Sequence, residues 1–213
     1  MSIQHRCIHL FKSASAVMLL LLLLNLAQAA PPPTILVLGD SLSAAYRIPP
    51  QEGWVSLLQQ QLRNNGYPHQ VINLSISGET SQGGLSQLPQ ALARHQPQFL
   101  ILALGSNDGL RGSSLKQLRQ NLSTMVDLAK AEQVKVLLVG MELPPNYGEA
   151  YNQKFRNSFK QVAEQQQVAL VPFLLQKMAL QRELFQEDNL HPVAAAQPLL
   201  LETVWSGLKP LLH

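Results

Sequence analysis

The 213 residues carry 16 Lys and Arg against 13 Asp and Glu, a formal charge of +3, and 46% of them are apolar. That balance describes one globular domain of ordinary size with residues enough for a core, and it excludes the strongly basic surface a nucleic-acid partner needs. The one cysteine is Cys7, so beyond the first segment a disulfide framework, a thiol nucleophile and a thiolate metal site are excluded.

The first segment reads as a leader. Arg6 and Lys12 give it a positive start, Ala14 to Leu26 is apolar apart from Ser15 and Asn25, and Ala27-Gln28-Ala29 is a small-x-small site. This is the layout of a secretory signal peptide spanning residues 1–29, with 30–213 as the mature domain. Its unbroken apolar run is shorter than the roughly 20 residues that span a bilayer. No stable membrane anchor is therefore expected after cleavage, and the mature chain is expected in the periplasm or outside the cell. Without Arg6 and Lys12 the balance is 14 basic to 13 acidic residues. Pro31, Pro32 and Pro33 form a stiff lead-in.

Thr34 to Ser43 reads TILVLGDSLS. Ile35 to Leu38 is a continuous apolar run of strand length, suited to a central parallel strand buried on both faces. Ligands in open parallel sheets sit beyond the carboxyl ends of the strands, which makes Ser41 a nucleophile candidate near the start of the next helix. Ser41 or Ser43 can equally be a plain helix cap. After an irregular connection over Tyr46 to Gly53, Trp54, Leu57, Leu58 and Leu62 repeat at helical spacing up to Asn64-Asn65-Gly66, with Trp54 read as core.

Val71 to Ile76 alternates as a second strand and ends at Ser77-Gly78-Glu79-Thr80. A helix is expected over Leu85 to Ala93, a third strand over Phe99 to Leu104, and a turn over Gly105 to Gly109. Leu115, Leu118, Leu122, Met125, Val126 and Ala129 mark a long amphipathic helix. Val134 to Val139 supplies a fourth strand, followed by a loop over Met141 to Tyr147 and a helix from Tyr151 to Gln166. A fifth strand over Val168 to Val171, a helical stretch near Leu174 to Leu184 and a final helix over Val193 to Leu208 complete the chain.

Strands alternating with helices imply a parallel α/β sheet covered on both faces, here in the flavodoxin-like order 2-1-3-4-5. Under that order the turns at Ser41, Gly78 and Asn107 lie side by side. A hydroxyl, a glycine backbone donor and a side-chain amide converging at one edge suit acyl transfer, where an oxyanion needs donors about 2.7–3.1 Å away. The Ser41 and Gly78 N–H groups and the Asn107 amide are the candidate donors. Gly78 and Asn107 are also ordinary turn residues. Asp188-Asn189-Leu190-His191 supplies a base, His191, and a carboxylate placed to fold back onto its other nitrogen. A His beside Pro192 can also simply cap a helix. The other mature histidines, His69, His95 and His213, read as solvated. No histidine pair has metal-ligand spacing, and neither metal nor cofactor is expected. The G-x-S-x-G elbow of another serine-hydrolase fold is absent.

Gly39-Asp40-Ser41-Leu42-Ser43, Ser77 to Thr80, Gly105 to Asp108 and Asp188 to His191 together resemble the motif set of the GDSL-type, or SGNH, hydrolases, in that family's order. Asn73 to Gln82, Asn107 to Gly112, Leu143 to Gly148 and His191-Pro192 are similar to its periplasmic acyl-CoA thioesterase, lysophospholipase and arylesterase branch. The resemblance implies a three-layer α/β/α fold, a triad of Ser41, Asp188 and His191, and an oxyanion hole from Ser41, Gly78 and Asn107. It implies a small-molecule acyl ester or thioester as substrate, with Leu110, Leu143, Pro144 and Tyr147 lining the acyl channel. It also implies movement of the loop Asp108 to Ser114 on substrate binding. A monomer is expected. Ser106, where a second glycine is common, and Val193, where a polar residue is frequent, depart from the pattern. A carbohydrate or cell-wall O-acetylesterase and a non-catalytic lipid-binding protein are the alternatives.

Overall fold

β1 (Thr34–Gly39) runs through the middle of the sheet, because Ile35, Leu36, Val37 and Leu38 offer no polar face and all four are fully buried. The computed structural model describes residues 32–212; the expected leader, residues 1–29, and His213 lie outside the described residues. β2 (Gln70–Asn73), β3 (Phe99–Ala103), β4 (Lys135–Val139) and β5 (Ala169–Val171) join β1 in one parallel sheet of order β2-β1-β3-β4-β5, the expected flavodoxin-like arrangement. Its register sets Gly39 beside Ala103 and Val37 beside Asn73, so the chain leaves β1, β2 and β3 at one common edge.

The helices are α1 (Trp54–Asn64), α2 (Ser81–His95), α3 (Ser106–Leu110), α4 (Leu115–Ala131), α5 (Glu149–Gln166) and α6 (Gln197–Leu208). α1 packs on α6, while α2, α4 and α5 pack side by side, giving the layers that sandwich the sheet. Trp54 is fully buried and donates its indole N–H to the Leu42 carbonyl at 3.1 Å, tying the first helix to the turn after β1. Among the described residues no helix is long and apolar enough to cross a membrane.

The differences from the sequence pattern have physical causes. α2 begins before Leu85, at Ser81, because Thr80 accepts the Gly83 N–H as its cap. Gly83 and Gly84 are poor helix formers, yet a Cβ on Gly84 would lie 2.1 Å from Leu104, so close packing against the core requires that glycine. Leu174 to Leu184 is not an α-helix. Its bonds are mostly of three-residue spacing, as in Met178 N–H to Leu175 O, with one of four residues, Ala179 N–H to the same carbonyl, and a regular α-helical ladder never propagates. The final helix begins at Gln197, preceded by a 3-10 turn over Ala194–Ala196. His69 is not solvated: 8% exposed, it packs between Tyr67 and Phe99, with ring centroids 6.1 and 5.4 Å away.

Candidate active site

β1 ends at Gly39, and the chain turns at once: the Asp40 carbonyl accepts from Ser43 N–H at 3.1 Å and from Ala44 N–H at 2.9 Å. The turn does not grow into a helix, because Ala45 and Arg47 adopt left-handed φ of 58° and 56°. α1 starts only at Trp54, so Ser41 sits on a tight corner instead of at a long helix terminus.

Asp40, beside it, is 1% exposed. Its Oδ1 accepts the Leu42 N–H at 3.0 Å, while Oδ2 has no donor in bonding geometry although the Ser106 hydroxyl stands close. Burial pushes the carboxyl from its ordinary 3.8 up to about 6, against the weaker opposing pull of the Leu42 N–H. The folded chain therefore keeps this proton up to about pH 6, whereas the unfolded chain releases it near 3.8. The native state binds more protons across that window, so stability falls as pH rises through it. At about 1.4 kcal/mol per unit the deficit reaches about 3 kcal/mol above the window. Asp40→Asn keeps an acceptor for Leu42 and cannot ionise. It is expected to raise the urea midpoint at about pH 8 and to leave it nearly unchanged at about pH 4; equal shifts at both pH values would contradict this account.

The Ser41 hydroxyl lies 2.9 Å from His191 Nε2, and His191 Nδ1 lies 2.7 Å from Asp188 Oδ2. A carboxylate only accepts, so Nδ1–H donates to Asp188 and Nε2 is left to accept from Ser41 O–H. Asp188 reaches back because its other oxygen accepts two backbone N–H groups, Leu190 and His191, each at 3.0 Å. Asn189 completes the turn with a φ of 57°. Partial burial tends to raise the Asp188 carboxyl, but the two backbone N–H groups and the imidazole outweigh it and hold the group down at about 2. It is thus ionised at any ordinary pH. The Tyr46 ring packs against the imidazole at a tilt of 42°, with centroids 4.4 Å apart.

Gly78 and Asn107 flank Ser41 at the same edge. Gly78 takes a φ of 82°, open to glycine at little cost, and its carbonyl accepts from Arg111 Nη2 at 3.0 Å. Among the described residues the N–H groups of Ser41 and Gly78 have no acceptor. Asn107 lies in the short α3, where an ordinary turn was expected, and its amide donates to the Glu79 carbonyl at 2.9 Å, leaving its second N–H for another acceptor. The neighbouring Asp108 anchors α3 from below, accepting from Ser81 N–H at 2.8 Å and Ser81 O–H at 2.6 Å.

Ser41, Gly78, Asn107 and His191 line one cleft of about 870 Å³. Leu110, Leu143 and Pro144 line it too. Tyr147 does not; its hydroxyl donates to the Leu110 carbonyl at 3.0 Å and braces the wall from behind. A smaller groove of about 470 Å³ beside α5 holds none of the expected site residues. Among the described residues no group of three or more His, Cys, Asp or Glu side chains could hold a metal ion. Sequence reasoning missed Tyr46 and Gln186, which read as unremarkable loop positions with no periodicity or spacing to mark them, and it gave Arg111 no part of its own within the stretch Asn107 to Gly112.

Residues 37–198 match the model of the GDSL-like lipase/acylhydrolase family. The chain is 51% identical to "Esterase TesA" of Pseudomonas aeruginosa over 84% of its own length and 89% of that protein's. It is 39% identical to "Thioesterase 1/protease 1/lysophospholipase L1" of Escherichia coli K12, covering 84% and 85% of the two chains. A crystal structure of TesA superposes with a TM-score of 0.82 at 50% identity, over 84% of this chain and 99% of that one. With the sheet order, the edge where Ser41, Gly78 and Asn107 meet, and these likenesses in hand, the chain belongs to the GDSL-like lipase/acylhydrolase family.

Proposed function

We propose that the chain is a serine hydrolase that cleaves acyl esters and acyl thioesters through a covalent acyl-enzyme. The observation that carries this is the unbroken series Ser41 Oγ to His191 Nε2 at 2.9 Å and His191 Nδ1 to Asp188 Oδ2 at 2.7 Å, opening into the cleft that also holds Gly78 and Asn107. His191 removes the proton as the Ser41 oxygen bonds to the carbonyl carbon. Asp188 holds the imidazole's tautomer and stabilises the imidazolium without itself taking the proton. The Ser41 and Gly78 N–H groups and the free Asn107 N–H hold the oxyanion. His191 then protonates the departing alcohol or thiol, and a water molecule repeats the cycle on the acyl-enzyme.

Leu110, Leu143 and Pro144 border the acyl chain, and a cleft of about 870 Å³ is far larger than an acetyl group needs. That favours aryl esters, acyl-CoA thioesters and lysophospholipids over carbohydrate acetates, in keeping with the names of the relatives. Residues 1–29 act as a cleaved signal peptide and 30–213 as the mature enzyme, periplasmic or secreted; the leader's composition supports this. All the proposed catalytic groups come from one chain, which suits a monomer.

Two measurements test the reading together. A p-nitrophenyl dialkyl phosphate is expected to stop hydrolysis and to leave one dialkylphosphoryl group on the peptide that contains Ser41. Label on another residue of an active sample would remove Ser41 from the reaction. A series of p-nitrophenyl esters from acetate to laurate is expected to show kcat/KM rising beyond acetate, and a maximum at acetate would favour the acetylesterase alternative.

A further inference from the structure

The bond between Ser41 and His191 joins two segments that are remote in the chain: the corner after β1 and the loop ahead of α6. Among the described residues, two hydrogen bonds run between residues 40–48 and residues 182–193. One is Ser41 to His191 itself; the other is from Gln186 Nε2 to the Tyr46 carbonyl, also 2.9 Å long. The same nitrogen donates to the Pro192 carbonyl at 3.1 Å, next to His191. A side-chain amide nitrogen has two N–H bonds, and Gln186 spends one on each segment.

The rest of the loop is built so that Gln186 and His191 move as one body. The Gln186 backbone N–H donates to the His191 carbonyl at 2.8 Å. The Arg182 guanidinium gathers the carbonyls of Phe185 at 3.1 Å, Gln186 at 3.1 Å and Glu187 at 3.4 Å, which stiffens the segment leading to Asp188. Pro192 and Phe185 close the loop with an antiparallel bridge. Leu184, Phe185 and Val193 seat the loop on the core, a contact without directional demand. Gln186, through Tyr46, adds the directed hydrogen bond that ties it to the corner carrying Ser41, and the Tyr46 ring lies against the imidazole at 42°.

We propose that Gln186 is a positioning residue that holds the acid–base loop in register with the nucleophile, acting on the reaction only through the Ser41–His191 distance. This rests on the triad reading above. It makes a chemical demand that mere filling of space does not: the group at position 186 must donate to two carbonyls. Gln186→Glu keeps the shape and turns a donor into an acceptor facing those carbonyls, whereas Gln186→Lys keeps donors.

The test compares wild type with Gln186→Ala, Gln186→Glu and Gln186→Lys. It reads kcat and KM on p-nitrophenyl butyrate, the rate at which a p-nitrophenyl dialkyl phosphate labels Ser41, and the far-UV spectrum of each sample. Misplacement of reacting groups by about 1 Å costs up to about 100-fold, so the Ala and Glu variants are expected to lose about 10- to 100-fold in kcat and in labelling rate. Their KM is expected to stay within about twofold, since the acyl-binding wall is untouched, and the Lys variant is expected to stay within about fivefold of wild type. A folded Glu variant that labels and turns over at the wild-type rate overturns the proposal, and so does a Lys variant as slow as the Glu variant. Should the Ala variant fail to fold, the Glu and Lys pair decides alone. Failure of the triad reading looks different: wild type itself then takes no label at Ser41.

Discussion

Ser41→Ala is expected to lower kcat/KM on any acyl ester by about four orders of magnitude or more while the protein remains folded. The substitution removes only the oxygen that would carry the acyl group. Ser41 is half-buried on the cleft wall, so its loss opens no core cavity, and His191 Nε2 is left facing solvent instead of an apolar void. The thermal midpoint is therefore expected to stay close to that of wild type. KM for slow substrates is expected to change little, because the acyl-binding wall and the oxyanion donors remain. A variant that is folded and still turns over at more than about a hundredth of the wild-type rate would show that another group performs the attack.

Asn107→Ala is the second large effect expected. Its free amide N–H is proposed to meet negative charge that exists only after the nucleophile has attacked, so the loss falls on kcat and not on KM. Removing one such donor typically costs about 10² to 10³ in rate, about 3–4 kcal/mol of transition-state stabilisation. A smaller structural cost comes with it, since the amide also holds the Glu79 carbonyl at 2.9 Å and thereby the loop carrying Gly78. Asn107→Asp separates the two roles. It places an acceptor, and at neutral pH a negative charge, where a donor is required, and it is expected to be slower than the Ala variant. An Asp variant equal to wild type would take Asn107 out of the oxyanion hole.

The sheet order and the meeting of Ser41, Gly78 and Asn107 were legible in the chain because they depend on long apolar runs and short turns. Ile35 to Leu38 can be little else than a central strand, and once strand order is set the loops at its carboxyl edge have no freedom to disperse. The Asp188–His191 contact was legible for a local reason, since three residues of separation across a turn bring the two side chains together. Other features depended on tertiary contacts that leave no periodic mark. Gly83 and Gly84 made α2 look as if it began late; Gly84 fits under Leu104, and nothing near Gly84 announces Leu104. Leu174, Leu175 and Met178 have helical spacing but satisfy burial through successive turns. Tyr147, expected on the acyl channel, lies off the cleft lining, where its phenol donates to the Leu110 carbonyl. Gln186 was invisible for the same reason: its partners Tyr46 and Pro192 are named only by the folded chain.

The carboxylate and the imidazole occupy a single tight turn, locked by the two N–H groups that Asp188 accepts. They form one compact unit whose internal geometry is set within the turn itself. A proton taken up by the His191 ring is met by a counter-charge inside the same turn, 2.7 Å away, and not by a group borrowed from a remote element. The pairing of carboxylate and imidazole is thereby a local matter, whereas the distance from the ring to Ser41 depends on contacts between segments remote in the chain.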